Sequence, residues 1–347
     1  MKNLFRIAFN AFRESLREPV YCLMLLASLM LIAFYPSLAA FAFMEPLKLV
    51  IDSSMATGLL SGLIVAVLCA SNTVAREMRN GTVLLLLSKP VSRWNFVLGK
   101  TLGITAAVAL FAFLCNLGCI ISTFVSIDQF RFEKSIFGIF LAVIAVGAFC
   151  GMAANFVFGS SFMEICTYSL GVLLTVFVVA LMVLAQFEIV QIPQELNVAD
   201  LSHSRCLEYI FFFKFKVPLD LFKALMLINF AVIAMATIAV TAATRLDVVP
   251  NMCVCTAVFF MGLLSSYLFR KFADTDSGLL KQLLTVLYSV FPNWQFFWLA
   301  DALAMKKHIP AGYVGMSALY MALFIVIASL WAVVLFREKE VAGDSRN

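Results

Sequence analysis

Few side chains in this sequence are spaced to make or break bonds. Gly99-Lys100-Thr101 has the ending of a phosphate-binding loop. Such a loop needs a glycine five residues before the Gly-Lys glycine, and that position is Trp94. No strand is expected before it, and its flanks are apolar, so this chain is not expected to bind ATP. His203 and His308 are the two histidines, far apart and in polar segments. Without His-Glu-x-x-His spacing or a Cys-His cluster, no catalytic metal is expected. Eight of the nine cysteines (22, 69, 115, 119, 150, 166, 253 and 255) fall in apolar runs. There they act as small hydrophobes, which argues against disulfides. Cys206 lies in a polar loop with no evident partner. Glu164 and Glu188 are the acidic residues nearest long apolar runs, each at a run end. An interfacial place suits them better than a proton relay inside the bilayer. A serine nucleophile elbow is absent.

The charged stretch with the most information runs from Val74 to Arg93, Val-Ala-Arg-Glu-Met-Arg-Asn-Gly-Thr-Val-Leu-Leu-Leu-Leu-Ser-Lys-Pro-Val-Ser-Arg. It leaves one apolar run on charged residues, passes through an amphipathic turn, and stops at Pro90 before Gly99-Lys100 opens the next run. A short helix held between two membrane helices at both ends can pass a push from a soluble partner to them.

The elements that would hold it follow from composition. The 347 residues are 63% hydrophobic and 13% charged, about half the charge fraction of a soluble domain. Apolar runs of about 20 residues match the roughly 30 Å hydrocarbon core of a bilayer. In lipid such runs must be helical, because the backbone has to satisfy its own hydrogen bonds. The short alternating segments of a membrane barrel are absent. The net charge of +5 sits at the ends of apolar runs and forms no stripe, which excludes nucleic acid as a partner. The first run, Val20 to Met44, is too long for a signal core and lacks a small-residue cleavage pattern.

Eight spans are expected, at about 20–44, 54–75, 97–125, 136–158, 162–186, 223–244, 250–269 and 311–336. The predicted fold is an all-α polytopic transmembrane helical bundle, one domain over 1–347. Residues 1–19 read as an interfacial amphipathic helix, with Asn3, Arg6, Asn10, Arg13 and Arg17 on one face and Leu4, Phe5, Ala8, Phe12 and Leu16 on the other. Lys2, Arg6, Arg13, Arg17, Arg76, Arg79, Lys89, Arg93, Lys100, Arg337, Lys339 and Arg346 place both termini and the 76–93 loop in the cytoplasm. Segments 187–222 and 270–310 then lie on the other side; their lysines and arginines count less because the segments are long.

The aromatic run Phe291-Pro292-Asn293-Trp294-Gln295-Phe296-Phe297-Trp298 suits an interfacial anchor or packing against neighbouring spans. The pairs Gly58/Gly62, Gly99/Gly103 and Gly147/Gly151 allow close helix approach, within the chain or across a dimer. Ser71, Asn72, Thr73, Asn116, Asn155 and Asn229 are expected to bond between helices before lining any path.

The loop pattern Arg-Glu, Gly-Thr, a leucine run, Ser-Lys-Pro-Val-Ser-Arg and then Gly-Lys resembles permease subunits of type-2 ABC exporters. Arg17-Glu18-Pro19-Val20 looks like that family's elbow, Leu335-Phe336-Arg337-Glu338-Lys339-Glu340 like its charged stop, and Pro292 to Leu303 like a segment of some bacterial members. The resemblance implies that Arg76, Glu77, Met78, Arg79, Asn80, Gly81 and Thr82 form a coupling helix facing an ATPase. It implies two permease chains with two ATPases, with ATP and Mg held by the ATPases and none in this chain. It implies export by alternating access across a bacterial inner membrane. The departure is in span number, because six is usual and eight are read here. Other classes make different demands. An ion-coupled secondary transporter or channel needs ionisable residues near mid-span, which are scarce. A membrane enzyme needs an acid, base or metal cluster. A structural anchor of an envelope complex would share the coupling loop. The substrate is not legible.

Overall fold

The computed structural model describes residues 2–39, 41, 46–76, 93–128, 131–186, 219–273, 292–304 and 307–344. Helix α1 (Lys2–Arg17) runs into α2 (Pro19–Ala39). Helix α3 (Pro46–Ala70) continues as a π-helical turn, Ser71–Ala75. After α4 (Arg93–Val125) come two short strands, β1 (Ser126–Asp128) and β2 (Arg131–Phe132). Helices α5 (Lys134–Phe158), α6 (Phe162–Gln186), α7 (Leu219–Ala243) and α8 (Val248–Ala273) follow. A 3-10 turn (Trp294–Phe297), a short α9 (Ala300–Ala304) and α10 (Ala311–Asp344) complete the described chain.

Among the described residues, eight helices are long and apolar enough to cross a membrane. They are α2 to α8 and α10, matching the eight expected spans. Their ends differ from expectation where charge misled. Helix α3 begins at Pro46 rather than at 54. Lys48 and Asp52 made this stretch read as a loop, but leaving helical backbone groups unpaired in lipid costs more than carrying two charges near a helix end. Pro46 suits a first turn, where its missing N–H is not needed. Lys48 lies 4.0 Å from Asp301. Helix α7 likewise starts at Leu219 rather than 223, with Asp220 and Lys223 buried inside it. The β1–β2 ribbon was not expected. It pairs Ser126 with Phe132 and Asp128 with Arg131, antiparallel, and closes a connection too short for a helix.

Helix α4 is the axis of the bundle. It packs on α1, α2, α3, α6 and α7, and 78% of its apolar window is buried, against 22% for α10. Polar side chains fix the register of these contacts. Tyr21 Oη donates to Ala107 O at 2.9 Å, Ser122 Oγ to Ile32 O at 2.7 Å, and Asn116 Nδ2 to Leu225 O at 3.0 Å. Lipid tails are as apolar as leucine, so close packing and such bonds hold spans together.

Each glycine pair lies at a contact within the chain. A Cβ on Gly62 would press into Val232, one on Gly147 into Leu170, and one on Gly151 into Cys166. The last two draw α5 against α6, and Gly159, at φ +63°, caps α5 in the left-handed conformation that lets the chain reverse.

The contacts sort the chain ends. Helix α1, the π turn, the first turns of α4, the α5–α6 connection, the start of α8 and Phe336 share one end of the bundle. Residues 219–223, 292–304 and 307–309 meet at the other. There Trp294 is buried between Phe259 and Phe297, itself buried, and Tyr313 Oη donates to Phe296 O at 2.7 Å. Of the two expectations for this aromatic run, packing between spans holds for these rings.

Candidate functional site

At the α1 end, two membrane helices stop and start beside each other. Helix α3 delivers the chain to residue 76, and α4 takes it up at Arg93. The exit from α3 is the π turn Ser71–Ala75, with Thr73 Oγ1 bonded to Cys69 O at 2.6 Å. Single π turns inside α-helices concentrate at functional sites. This one is held from outside by Asn251, in the first turn of α8. The fully buried Asn251 Nδ2 donates to Ser71 Oγ at 2.9 Å and to Ala239 O at 3.2 Å. Cys255 Sγ donates to Asn251 Oδ1 at 3.4 Å. One buried amide therefore ties the end of α3 to α7 and α8, and leaving it unbonded would be costly.

Helix α1 braces the same joint. Glu18, which links α1 to α2, accepts from Asn72 Nδ2 at 3.3 Å and lies 4.0 Å from Arg76 Nη2. On the α4 side, Glu14 pairs with Lys100 at 2.9 Å, the lysine side chain being 8% exposed. Lys100 is thus an ion-pair partner in mid-helix, far from the phosphate-loop geometry that Gly99-Lys100-Thr101 suggests. The helices touch because Gly99 and Gly103 have no side chains. A Cβ on Gly99 would meet Ile7, and one on Gly103 would strike the Ala8 carbonyl and the Phe12 amide nitrogen. The buried face of α1 is Ala11, Ser15 and Leu16, whereas Phe5 and Phe9 are exposed. Of the expected apolar face, Leu16 is buried against the bundle and Phe5 faces outward.

The third brace is Glu164, in the first turn of α6. Arg13 Nε donates to Oε1 at 2.9 Å, Arg13 Nη2 to Oε2 at 3.3 Å, Arg17 Nε to Oε2 at 2.8 Å and Ser161 Oγ to Oε2 at 3.1 Å. The hydrogen bond to this carboxylate, and then its charge, hold the Arg13 guanidinium above its ordinary pKa. Sequence reading placed Glu164 at the interface but had no signal for its partners, which lie more than a hundred residues away. Glu164→Gln removes the charge that holds both arginines. Trypsin is expected to cut after Arg13 or Arg17 roughly three- to tenfold faster in the purified variant, because a half-exposed ion pair restrains opening modestly. An unchanged cleavage rate would refute the brace.

Between α1 and the joint lies a cavity of about 590 Å³, lined by Asn10, Arg13, Glu14, Arg17, Glu18 and Arg76 among others. Of the seven candidate coupling residues, the structure brings Arg76 to this joint. Glu77, Met78, Arg79, Asn80, Gly81 and Thr82 lie outside the described residues. Of the polar residues in the spans, Ser71, Asn72 and Asn116 bond to other elements, as expected, whereas Thr73 bonds within its own helix and Asn155 Nδ2 bonds Ser160 O in the α5–α6 connection at 2.7 Å. Asn229 is the exception, its buried Oδ1 having no partner among the described residues.

The opposite end holds a polar cluster that sequence reading missed. Asp220 Oδ1 accepts from the Ile309 amide at 3.2 Å and lies 3.2 Å from His308 Nδ1, while Lys223 Nζ donates to Ile309 O at 2.9 Å. This cluster straps residues 308–309 to the start of α7. Among the described residues, no group of three or more His, Cys, Asp or Glu could hold a metal ion.

The chain is thus a bundle with eight helices able to span a membrane, a surface helix wedged against its central span, and a braced exit from one span toward a charged loop. A family model described as ABC-2 family transporter protein matches residues 6–341. The chain therefore belongs to the ABC-2 family of transporter proteins, as a permease of the ABC transporter class. No curated protein matches it.

Proposed function

We propose that this permease exports its substrate across a bacterial inner membrane by alternating access, driven by ATP hydrolysis in a separate ATPase. Both termini and the 76–93 loop face the cytoplasm in this reading. Two permease chains and two ATPases form the working complex, and ATP with Mg is held by the ATPases. The observation that carries the reading is the joint itself. The exit of α3 is tied to α7 and α8 through Asn251, and to α1 through Glu18. The entry of α4 is tied to α1 through Lys100 and the two glycines. A push on the loop between residues 76 and 93 therefore has rigid levers on both sides. Closure of the ATPase pair displaces the loop, and α3 and α4 tilt with it.

The test is co-purification with the ATPase and measurement of its stimulated hydrolysis. Glu77→Ala or Arg79→Ala is expected to weaken association by about tenfold or more, the range of a central interface residue. Unchanged association and unchanged stimulation in both variants would remove the coupling assignment. A chain that only anchors an envelope complex would bind the ATPase but show no ATP-dependent substrate movement in vesicles.

A further inference from the structure

A second cavity, of about 500 Å³, opens on the far side of the Arg13 and Arg17 pair. It lies between α1 and the α5–α6 connection, and its polar lining includes Arg13, Arg17, Asn155, Ser160, Glu164 and Tyr168. Its volume is within the roughly 300–1,000 Å³ of small-molecule sites. We infer that this notch binds the phosphate headgroup of an anionic phospholipid from the leaflet on the α1 side. The site requires only the membrane, not the transport mechanism.

Charge is the first argument. Two guanidinium groups face one carboxylate, which leaves one positive charge over. Glu164 engages Nε and Nη2 of Arg13 but only Nε of Arg17. Both Nη groups of Arg17 are thus uncommitted among the described residues, and this side chain is 51% exposed. Planar guanidinium donors suit phosphate oxygens, and such charge-assisted bonds are the strong ones. Glu164 also fixes both arginines in place, so little side-chain freedom is lost when a ligand arrives.

The apolar surroundings are the second argument, and they select a lipid over a free anion. Phe156 is 93% exposed and Phe158 80% exposed at the end of α5, beside the notch, and Val157 lies between them. Phe9, also exposed, stands 5.9 Å from the Arg13 guanidinium. Exposed phenylalanine rings at the end of a span meet the acyl chains next to the headgroups. A headgroup in the notch would lay its acyl chains along these rings, which a soluble phosphate cannot do. A zwitterionic headgroup would bring a cation toward the arginine pair and lose that advantage.

The test is native mass spectrometry of the full-length permease in neutral detergent, titrated with phosphatidylglycerol, phosphatidylcholine or inorganic phosphate. Phosphatidylglycerol is expected to bind about tenfold more tightly than phosphatidylcholine, as one additional charge-assisted contact would give. Arg17→Gln should abolish that preference. Tyr168→Phe keeps the ring and the hydrogen bonds of Arg13 and Arg17 to Glu164 and should weaken phosphatidylglycerol binding by about threefold or more, the worth of one hydrogen bond; it keeps the inference open to refutation if Arg17→Gln does not fold. Equal binding of the two lipids, an undiminished preference in Arg17→Gln, or undiminished affinity in Tyr168→Phe would overturn the site. Inorganic phosphate binding as tightly as phosphatidylglycerol would also overturn it, by making the notch a free-anion site.

Discussion

Trp294→Ala should destabilise the permease by about 3–5 kcal/mol, the cost of emptying a large aromatic site. The indole is 2% exposed. It rests on the bare backbone of Gly262, with Phe259 at 6.3 Å and Phe297 at 6.4 Å between ring centres. The surrounding rings cannot collapse into the space without moving the 3-10 turn, which Gln295 Nε2 ties to Leu263 O at 3.0 Å and Tyr313 to Phe296 O at 2.7 Å. Within a membrane bundle there is little water-driven compensation, so lost packing is lost stability. Heating in the presence of a maleimide dye checks this, because the Cys115 and Cys119 thiols are buried in the folded state. The variant should expose them at a clearly lower temperature than the parent. An unchanged midpoint would mean that Trp294 is a surface anchor, the alternative that its sequence context allowed.

Gly103→Val should cost about 3 kcal/mol, the upper range of overpacking, and should lift α1 off α4. Its side chain would strike the Ala8 carbonyl and the Phe12 amide, which are backbone atoms and cannot rotate aside. Gly99→Ala meets Ile7 Cγ2 and Cβ and the Leu4 carbonyl, none nearer than 2.8 Å and each farther off than the Ala8 carbonyl is at Gly103, so its cost should be smaller. Gly138→Ala and Gly312→Ala serve as controls, since nothing lies within 4 Å of either added Cβ. They should be neutral or gain up to about 1 kcal/mol from better helix propensity. With α1 displaced, Glu14, Glu18 and the arginines leave the joint together. Stimulation of the ATPase should therefore fall in Gly103→Val even though no loop residue has changed. Equal stability of Gly103→Val and the controls would show that α1 is not wedged against α4.

The spans were legible because lipid makes one demand of every residue in them. A run of apolar residues must be helical and about as long as the bilayer is thick, so local composition was enough. The reading failed where single charges sit inside a helix, as at Lys48, Asp52 and Asp220. A window counting charges treats them as loop, while the folded chain pairs Lys223 with Ile309 O and Asp220 with the Ile309 amide. The β1–β2 ribbon escaped for a similar reason: its strands are too short to show a period.

The site divides in the same way. From the sequence alone came a surface helix, eight spans, a charged loop after the second, and Arg76 at its start, because each is a local pattern of charge and hydropathy. Only the folded chain brought Glu164 to Arg13 and Arg17, Asn251 to Ser71, and the Gly99 and Gly103 face to α1. These contacts join residues far apart in sequence, and no local pattern encodes a partner. They form because a buried carboxylate or amide must be satisfied by whatever the packing of helices brings near it.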